Sequence, residues 1–513
     1  MTARRPGGWL VTAAVAAAAV VVTRWLFLSR ALFSWDSANF ALAMARIDIA
    51  AHRPHPPGYL GYVLAGRAIN RLVGDPNLSL VLWNIAVTAL AAAVLARWAW
   101  ESAEGDRRQA SLTLGVVAIL VTSPLLWFYG EIAEIYPSEL VVVLLVAFAA
   151  WRAIRGQTAS IYWCAVGLAA AAVFKVSAAV LIFPLALYAW TRVPAPTKRR
   201  SALLLAVLGI VVAAGFLALQ PDLLTVVWRQ FVVATSGSRL IGGQTSVLRA
   251  LNINVRDTFT AAASALGVVN GAAFLVWLAI DRRLPAGLDR RTAGLWLGPW
   301  LLLVLAVHIG RRGYILPLLP LAALVMGGFY ARQRRGVTIA IVTLQIVVNA
   351  AQFAWLVPPP RAMVGGSALY RDKTLIERVL SDLDAITFPT AFTIASSDRR
   401  ASALTALVAA TCPSGDPIIV AEADWRRVLW YFPGATAVNT SGHDVLFSGM
   451  HTDAAPIPAS GLTLTARCPV IWLTGDDGAP GTFTPAGARV VTDVGAVTGA
   501  ATLVITPRTI EAR

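Results

Sequence analysis

Metal ligands are scarce in this sequence. It has three cysteines, none in a paired spacing, and five scattered histidines, so no metal site and no cofactor are expected. Charge is scarce as well. Only 14% of residues are charged while 57% are hydrophobic, and the mean hydropathy is +0.67, more apolar surface than one soluble core could bury. The chain therefore belongs in a bilayer. Acidic residues are scarcest in the first two thirds: residues 1–356 carry 31 Lys/Arg against 13 Asp/Glu, and residues 357–513 carry 12 against 14. The basic excess of +16 thus follows the membrane part, which points to topology and lipid phosphate and away from nucleic acid. Internal repeats are missing too, which tells against a transporter or flippase, the main competing class. Gly242-Gly243 lacks the strand and helix that a phosphate loop needs.

What the chain does have is apolar runs near the length that spans hydrocarbon. Eleven are expected: 9–29, 78–99, 109–129, 136–152, 160–174, 176–191, 201–219, 256–280, 293–309, 313–331 and 336–356. From Arg4 and Arg5 onward every second connection is basic, including Arg107/Arg108, Arg152/Arg155, Arg199/Arg200, Arg290/Arg291 and Arg334/Arg335. Basic connections stay in the cytoplasm, so the N-terminus is expected inside and everything after residue 357 outside. Residues 57–73 are a polar-striped interfacial helix in this reading, because counting them as a span would place the Arg clusters outside. The first exterior loop then runs over 30–77 with two short helices, 36–50 and 57–73.

That loop holds a polar and aromatic island, Ser34-Trp-Asp-Ser-Ala-Asn-Phe40 followed by His52-Arg-Pro-His-Pro-Pro-Gly-Tyr59. Asp36 is its candidate working carboxylate; the plainer reading is an N-cap for the helix that follows. After the third span come Glu131 and Glu134, expected to share one helical face, as catalytic acids or as first-turn partners of a helix dipole. Lys175 lies between the fifth and sixth spans, a phosphate ligand or a snorkelling side chain. Arg53, Arg239, Arg311 and Arg312 also fall on the side that the topology rule depletes of cations, and a phosphate-bearing lipid headgroup would account for them; interfacial anchoring is the competing role for Arg311 and Arg312. His55 is a candidate ligand or a turn residue set by Pro56 and Pro57.

The tail differs. After Pro358-Pro-Pro360 come strand-like runs at Ala391–Ala395, 417–421, 469–474, 489–492 and 502–505, with a helix over 399–411, suggesting a small α/β domain with a mainly parallel sheet. Cys412 and Cys468 both lie there, as a disulfide or as two thiols.

Taken together, Trp35-Asp36-Ser37 early in the first loop, the His55-to-Gly58 turn, Gly130-Glu-Ile-Ala-Glu134 and Gly313-Tyr-Ile-Leu-Pro317 resemble the GT-C superfamily of lipid-linked-sugar glycosyltransferases. The likeness is to protein O-mannosyltransferase-like and aminoarabinose-transferase-like members. The resemblance implies a mostly α polytopic enzyme, 1–356, with an exocytoplasmic α/β domain, 357–513. It implies inverting transfer of a sugar from a polyprenyl-phosphate donor to an acceptor protein, lipid or glycan, with Asp36 as general base. Arg53, His55, Lys175, Arg239, Arg311, Arg312 and Tyr314 would hold the donor phosphate without a metal. Many such enzymes place a second acid near the first-loop Asp; Asp48 is a helix away, so Glu131 or Glu134 takes that place.

Overall fold

The computed structural model describes residues 8–356 and 389–512, apart from 104–105, 237–245, 286, 307–311, 414–415, 422–424, 442–443, 449–454, 457–459, 475–483, 486, 500–501 and 507–508. Among the described residues the first two thirds are helical. The order is α1 (Gly8–Trp25), α2 (Trp35–Ala45), α3 (Leu60–Val73), α4 (Pro76–Ser102), α5 (Asp106–Val121), α6 (Pro124–Gly130), α7 (Tyr136–Ile154) and α8 (Ser160–Phe174). There follow α9 (Val176–Thr191), α10 (Ala195–Leu219), α11 (Leu223–Ser236), α12 (Val247–Ile280), α13 (Arg290–Ala306), a 3-10 turn at Arg312–Leu318, α14 (Leu319–Ala331) and α15 (Arg335–Trp355).

Each run expected to span contains a helix among the described residues, which follows from long stretches of Ala, Leu and Val bounded by caps and prolines. Asp75 accepts the Leu78 N–H with Pro76 behind it, starting α4; Ser123 and Pro124 break the next run, bending α6 by 56° from α5. Among the described residues six helices are long and apolar enough to cross a bilayer, or seven if α5 and α6 count as one bent span, against the eleven spans expected. α8 and α9, of 15 and 16 residues, reach only about 22 to 24 Å each. The chain is a multi-pass membrane protein.

Burial divides these helices. The span formed by residues 312–331 is 83% buried and α7 78%, whereas α10 is 6% buried and presents its apolar surface outward, as a lipid-facing helix does. α7 and residues 312–331 are therefore the centre of the bundle, and their ends carry the site described below. The basic connections meet at the opposite end. There Arg152 lies 3.5 Å from Glu101, the Trp151 indole donates to the Gly287 carbonyl, Arg291 covers the Tyr188 ring and Arg332 pairs with Asp281.

The C-terminal part comprises α16 (Ala391–Thr411), β1 (Ile418–Ala421), α17 (Trp425–Tyr431), β2 (Thr436–Ser441), β3 (Asp444–Ser448), β4 (Ala455–Pro456), β5 (Leu462–Thr465), β6 (Val470–Leu473), β7 (Arg489–Thr492), β8 (Gly495–Thr498), β9 (Thr502–Ile505) and β10 (Ile510–Ala512). One sheet runs β4-β3-β2-β1-β6-β8-β7 and a second β10-β9-β5. Only β1 pairs in parallel, with β2 and β6, so the sheet is mixed and not mainly parallel as expected. Residues 391–395 are not a strand but the first turn of α16. A five-residue apolar run does not distinguish a strand from a buried helix, and here Thr390 and Thr393 form a capping box while Ile394, Ala401, Leu404 and Val408 bury one helical stripe. Cys412 and Cys468 are joined by a disulfide, tying the end of α16 to the sheet. The boundary expected at Pro358–Pro360 lies outside the described residues.

Candidate active site

The loop between α1 and α4 positions the site. Ser34 is the N-cap of α2: its hydroxyl accepts the Ser37 N–H at 3.2 Å and completes a capping box. Asp36 therefore sits at the second helical position and not at the cap. α2 stops at Ala45, short of the expected residue 50, because Arg67 on α3 donates to the Ala43 and Met44 carbonyls (both 2.8 Å) and closes the helix end. Beyond it Asp48 and Arg53 exchange backbone hydrogen bonds of 2.7 and 2.8 Å around a tight turn in which His52 is left-handed, with φ of 56°. Pro54, Pro56 and Pro57 then delay α3 until Leu60. The Asn39 amide, oriented so that its oxygen accepts from the Trp35 indole (2.7 Å) and its nitrogen donates to the His52 carbonyl (3.2 Å), holds the turn against α2.

His55 Nδ1 lies 3.5 Å from an Asp36 oxygen, and its Nε2 is 3.1 Å from the Tyr59 hydroxyl. Asp36, His55 and Tyr59 form one chain, with Asp36 about one-fifth exposed. Burial raises the Tyr59 phenol well above its ordinary value, and Tyr314, Asp36, Glu139 and Glu134 push it further, so Tyr59 stays a hydrogen-bonding phenol. This electrostatic neighbourhood also marks which groups converge.

The other wall comes from the spanning helices. Lys175, at the break between α8 and α9, pairs with Glu139 of α7 at 2.6 Å, both buried. Its ammonium lies 4.1 Å from the centre of the Tyr314 ring and 5.1 Å from that of Tyr136. Tyr136 also packs against Tyr129 and Tyr314, and its ring lies so close to Gly313 that a side chain there would collide with it. Asp36 and Lys175 are near enough for their charges to interact. The result is a carboxylate facing a tyrosine-lined wall with one buried cation, which can both accept a proton and hold an anion.

The two acids after α6 part company. Residues 131–135 are not helical, so Glu131 and Glu134 do not share a helical face as expected. Pro124 starts a helix too short to include them. Glu134 accepts the Ser34 hydroxyl in a short hydrogen bond and belongs to the Asp36 neighbourhood. Glu131, fully buried, accepts the Trp127 indole at 2.7 Å beside Arg24 of α1, and its own carbonyl takes the Ser29 N–H; it braces helices. Arg53 is buried in the turn and Arg312 lies near Ser264 at 3.5 Å. Arg239 and Arg311 lie outside the described residues. Sequence reasoning did not single out Glu139, Tyr59 or Tyr136. For Glu139 a signal existed, since an acid inside an apolar helix needs a partner and Lys175 is the other charge at that depth.

No protein-family model and no curated protein matches the sequence. Solved structures of similar architecture include the crystal structures of ArnT from Cupriavidus metallidurans bound to undecaprenyl phosphate and in the apo state. The fold is that of ArnT. The superpositions have a TM-score of 0.54 in both cases, cover 84% and 85% of this chain and 86% of the ArnT chain, and align residues at 14% and 15% identity. A match over 84% of 513 residues is longer than residues 1–356, so the likeness extends beyond the helical part.

Proposed function

We propose that this chain is an integral membrane glycosyltransferase of the cell membrane, taking a sugar from a polyprenyl-phosphate donor to an acceptor on the exocytoplasmic face. The observation that carries the proposal is Asp36, released from capping by Ser34 and set against His55, opposite Lys175, Tyr136 and Tyr314, in a fold shared with a protein crystallised with undecaprenyl phosphate. In this reading the Asp36 carboxylate takes the proton of an acceptor hydroxyl or amine as its oxygen or nitrogen bonds to the anomeric carbon. The bond from that carbon to the phosphate oxygen breaks on the opposite side, so configuration inverts. His55, bridged to Tyr59, orients the carboxylate. The leaving polyprenyl phosphate gathers negative charge, which Lys175, Arg53 and Arg312 with the Tyr314 hydroxyl would stabilise; guanidinium forks suit a monophosphate, so no metal is required of the mechanism. Glu134 is the second acid of the site and Glu131 a structural one. The basic end of the bundle faces the cytoplasm, and the C-terminal part lies outside over the Asp36 loop.

The test is a panel of radiolabelled polyprenyl-phosphate sugars given to purified protein in detergent, with and without chelator. Transfer or slow hydrolysis of at least one donor, unaffected by chelator, is expected. If none is bound or turned over, the proposal fails at its donor.

A further inference from the structure

Residues 30–33, which lead from α1 into the cap of α2, form no regular secondary structure, yet successive backbone groups there have distant partners. The Asp398 carboxylate on α16 accepts the Arg30 N–H at 3.0 and 3.1 Å and the Ala31 N–H at 2.9 Å. The Tyr431 hydroxyl on α17 accepts the Leu32 N–H at 2.7 Å. The Phe33 carbonyl takes Arg427 Nη1 and the Ser397 hydroxyl, each at 3.5 Å. The next residue is Ser34, the cap, and Asp36 follows two positions later. The second half of the loop is held from the same side: Arg426 donates to the Ala51 carbonyl at 3.2 Å, and Trp425 packs on Trp35.

Side chains bonding backbone groups in sequence fix a segment's path, where packing alone would fix only its distance. By contrast, Lys175, Glu139, Tyr136 and Tyr314 belong to the spanning part and, among the described residues, have no such ties to α16 or α17. The segment leading to Asp36 is thus held from the C-terminal domain as well as by the Ser34–Glu134 hydrogen bond from the bundle, whereas Lys175 and Tyr314 are placed by the bundle. We propose that Asp398 and Tyr431 are positioning residues: they clamp residues 30–33 and thereby set the angle at which α2 presents Asp36. This rests on the functional reading above for its effect on turnover, although the clamp itself does not.

Two measurements on the full-length protein separate these. Hydrogen exchange over residues 30–36 is followed in wild type, Tyr431→Phe and Asp398→Ala, with intact Cys412–Cys468 and an unchanged melting temperature as the check on folding. Both variants are expected to exchange at least tenfold faster in this segment, with Asp398→Asn, which keeps an acceptor oxygen, between them and wild type. On a donor that the protein turns over, kcat is expected to fall about tenfold or more with the donor KM unchanged, since a displacement of about 1 Å can cost 10²-fold. Unchanged exchange in both folded variants would overturn the clamp. Faster exchange with unchanged kcat would overturn its positioning role. Absence of turnover in wild type counts against the functional reading alone, because the exchange result stands by itself.

Discussion

Lys175 and Glu139 are fully enclosed, 2.6 Å apart, with two tyrosine rings on the ammonium. A buried pair of this kind contributes little net stability, but removing one partner leaves the other charge unpaired in a site that cannot solvate it, a cost of about 3–5 kcal/mol. Lys175→Met should therefore melt well below wild type in detergent. The double variant Lys175→Met with Glu139→Leu should recover most of that loss yet remain inactive, since the cation proposed to face the leaving phosphate is gone. Thermal unfolding with a transfer assay on the same preparations checks both, and a single variant as stable as wild type would show that the pair is not strained by separation. The sequence displayed Lys175 and Glu139 as isolated charges near span ends. Their contact joins α7 to the α8–α9 break across 36 residues, and no periodicity records such a pairing.

At the scale of the element, α2 is where local sequence and tertiary context divide the work. Ser34 supplies the cap and Arg67 of α3 supplies the stop, so the helix starts two residues earlier than in a reading that gave Asp36 the capping role. Replacing Ser34 with Ala removes the cap and the Glu134 contact together; a loss of about 1 kcal/mol is expected from the cap, seen as a lower melting temperature, along with slower turnover. Most helices were legible because about 20 apolar residues in a row have few other options in lipid. The C-terminal strands were less so. β2 and β8 owe their burial to neighbours supplied by β1 and β6, and runs of four to six residues carry too little pattern to announce that.

Across the whole molecule, the helical bundle and the helices α16 and α17 of the C-terminal part meet at the loop that carries Asp36. The Cys412–Cys468 disulfide fastens α16, and with it Asp398, to the sheet across a sequence separation of 56 residues. By loop-closure entropy such a bridge stabilises by roughly 4 kcal/mol. Cys412→Ser is expected to lower the melting temperature of the C-terminal part and to raise exchange at residues 30–33, whereas Cys164→Ser, which alters a buried thiol on α8, should do neither. The membrane class and most of the helices could be read from composition and hydropathy. The docking of a distant domain on backbone N–H groups could not, because it involves acceptors more than 360 residues away that have no local signature.

The central claim, that Asp36 takes the acceptor's proton during transfer from a polyprenyl-phosphate sugar, is met most directly by Asp36→Asn. The amide keeps the shape and loses the basicity. Donor binding by the purified variant should match wild type while sugar transfer falls by about 10²-fold or more, the scale of a lost general base. An Asp36→Asn protein that binds donor and transfers sugar at the wild-type rate would contradict the account.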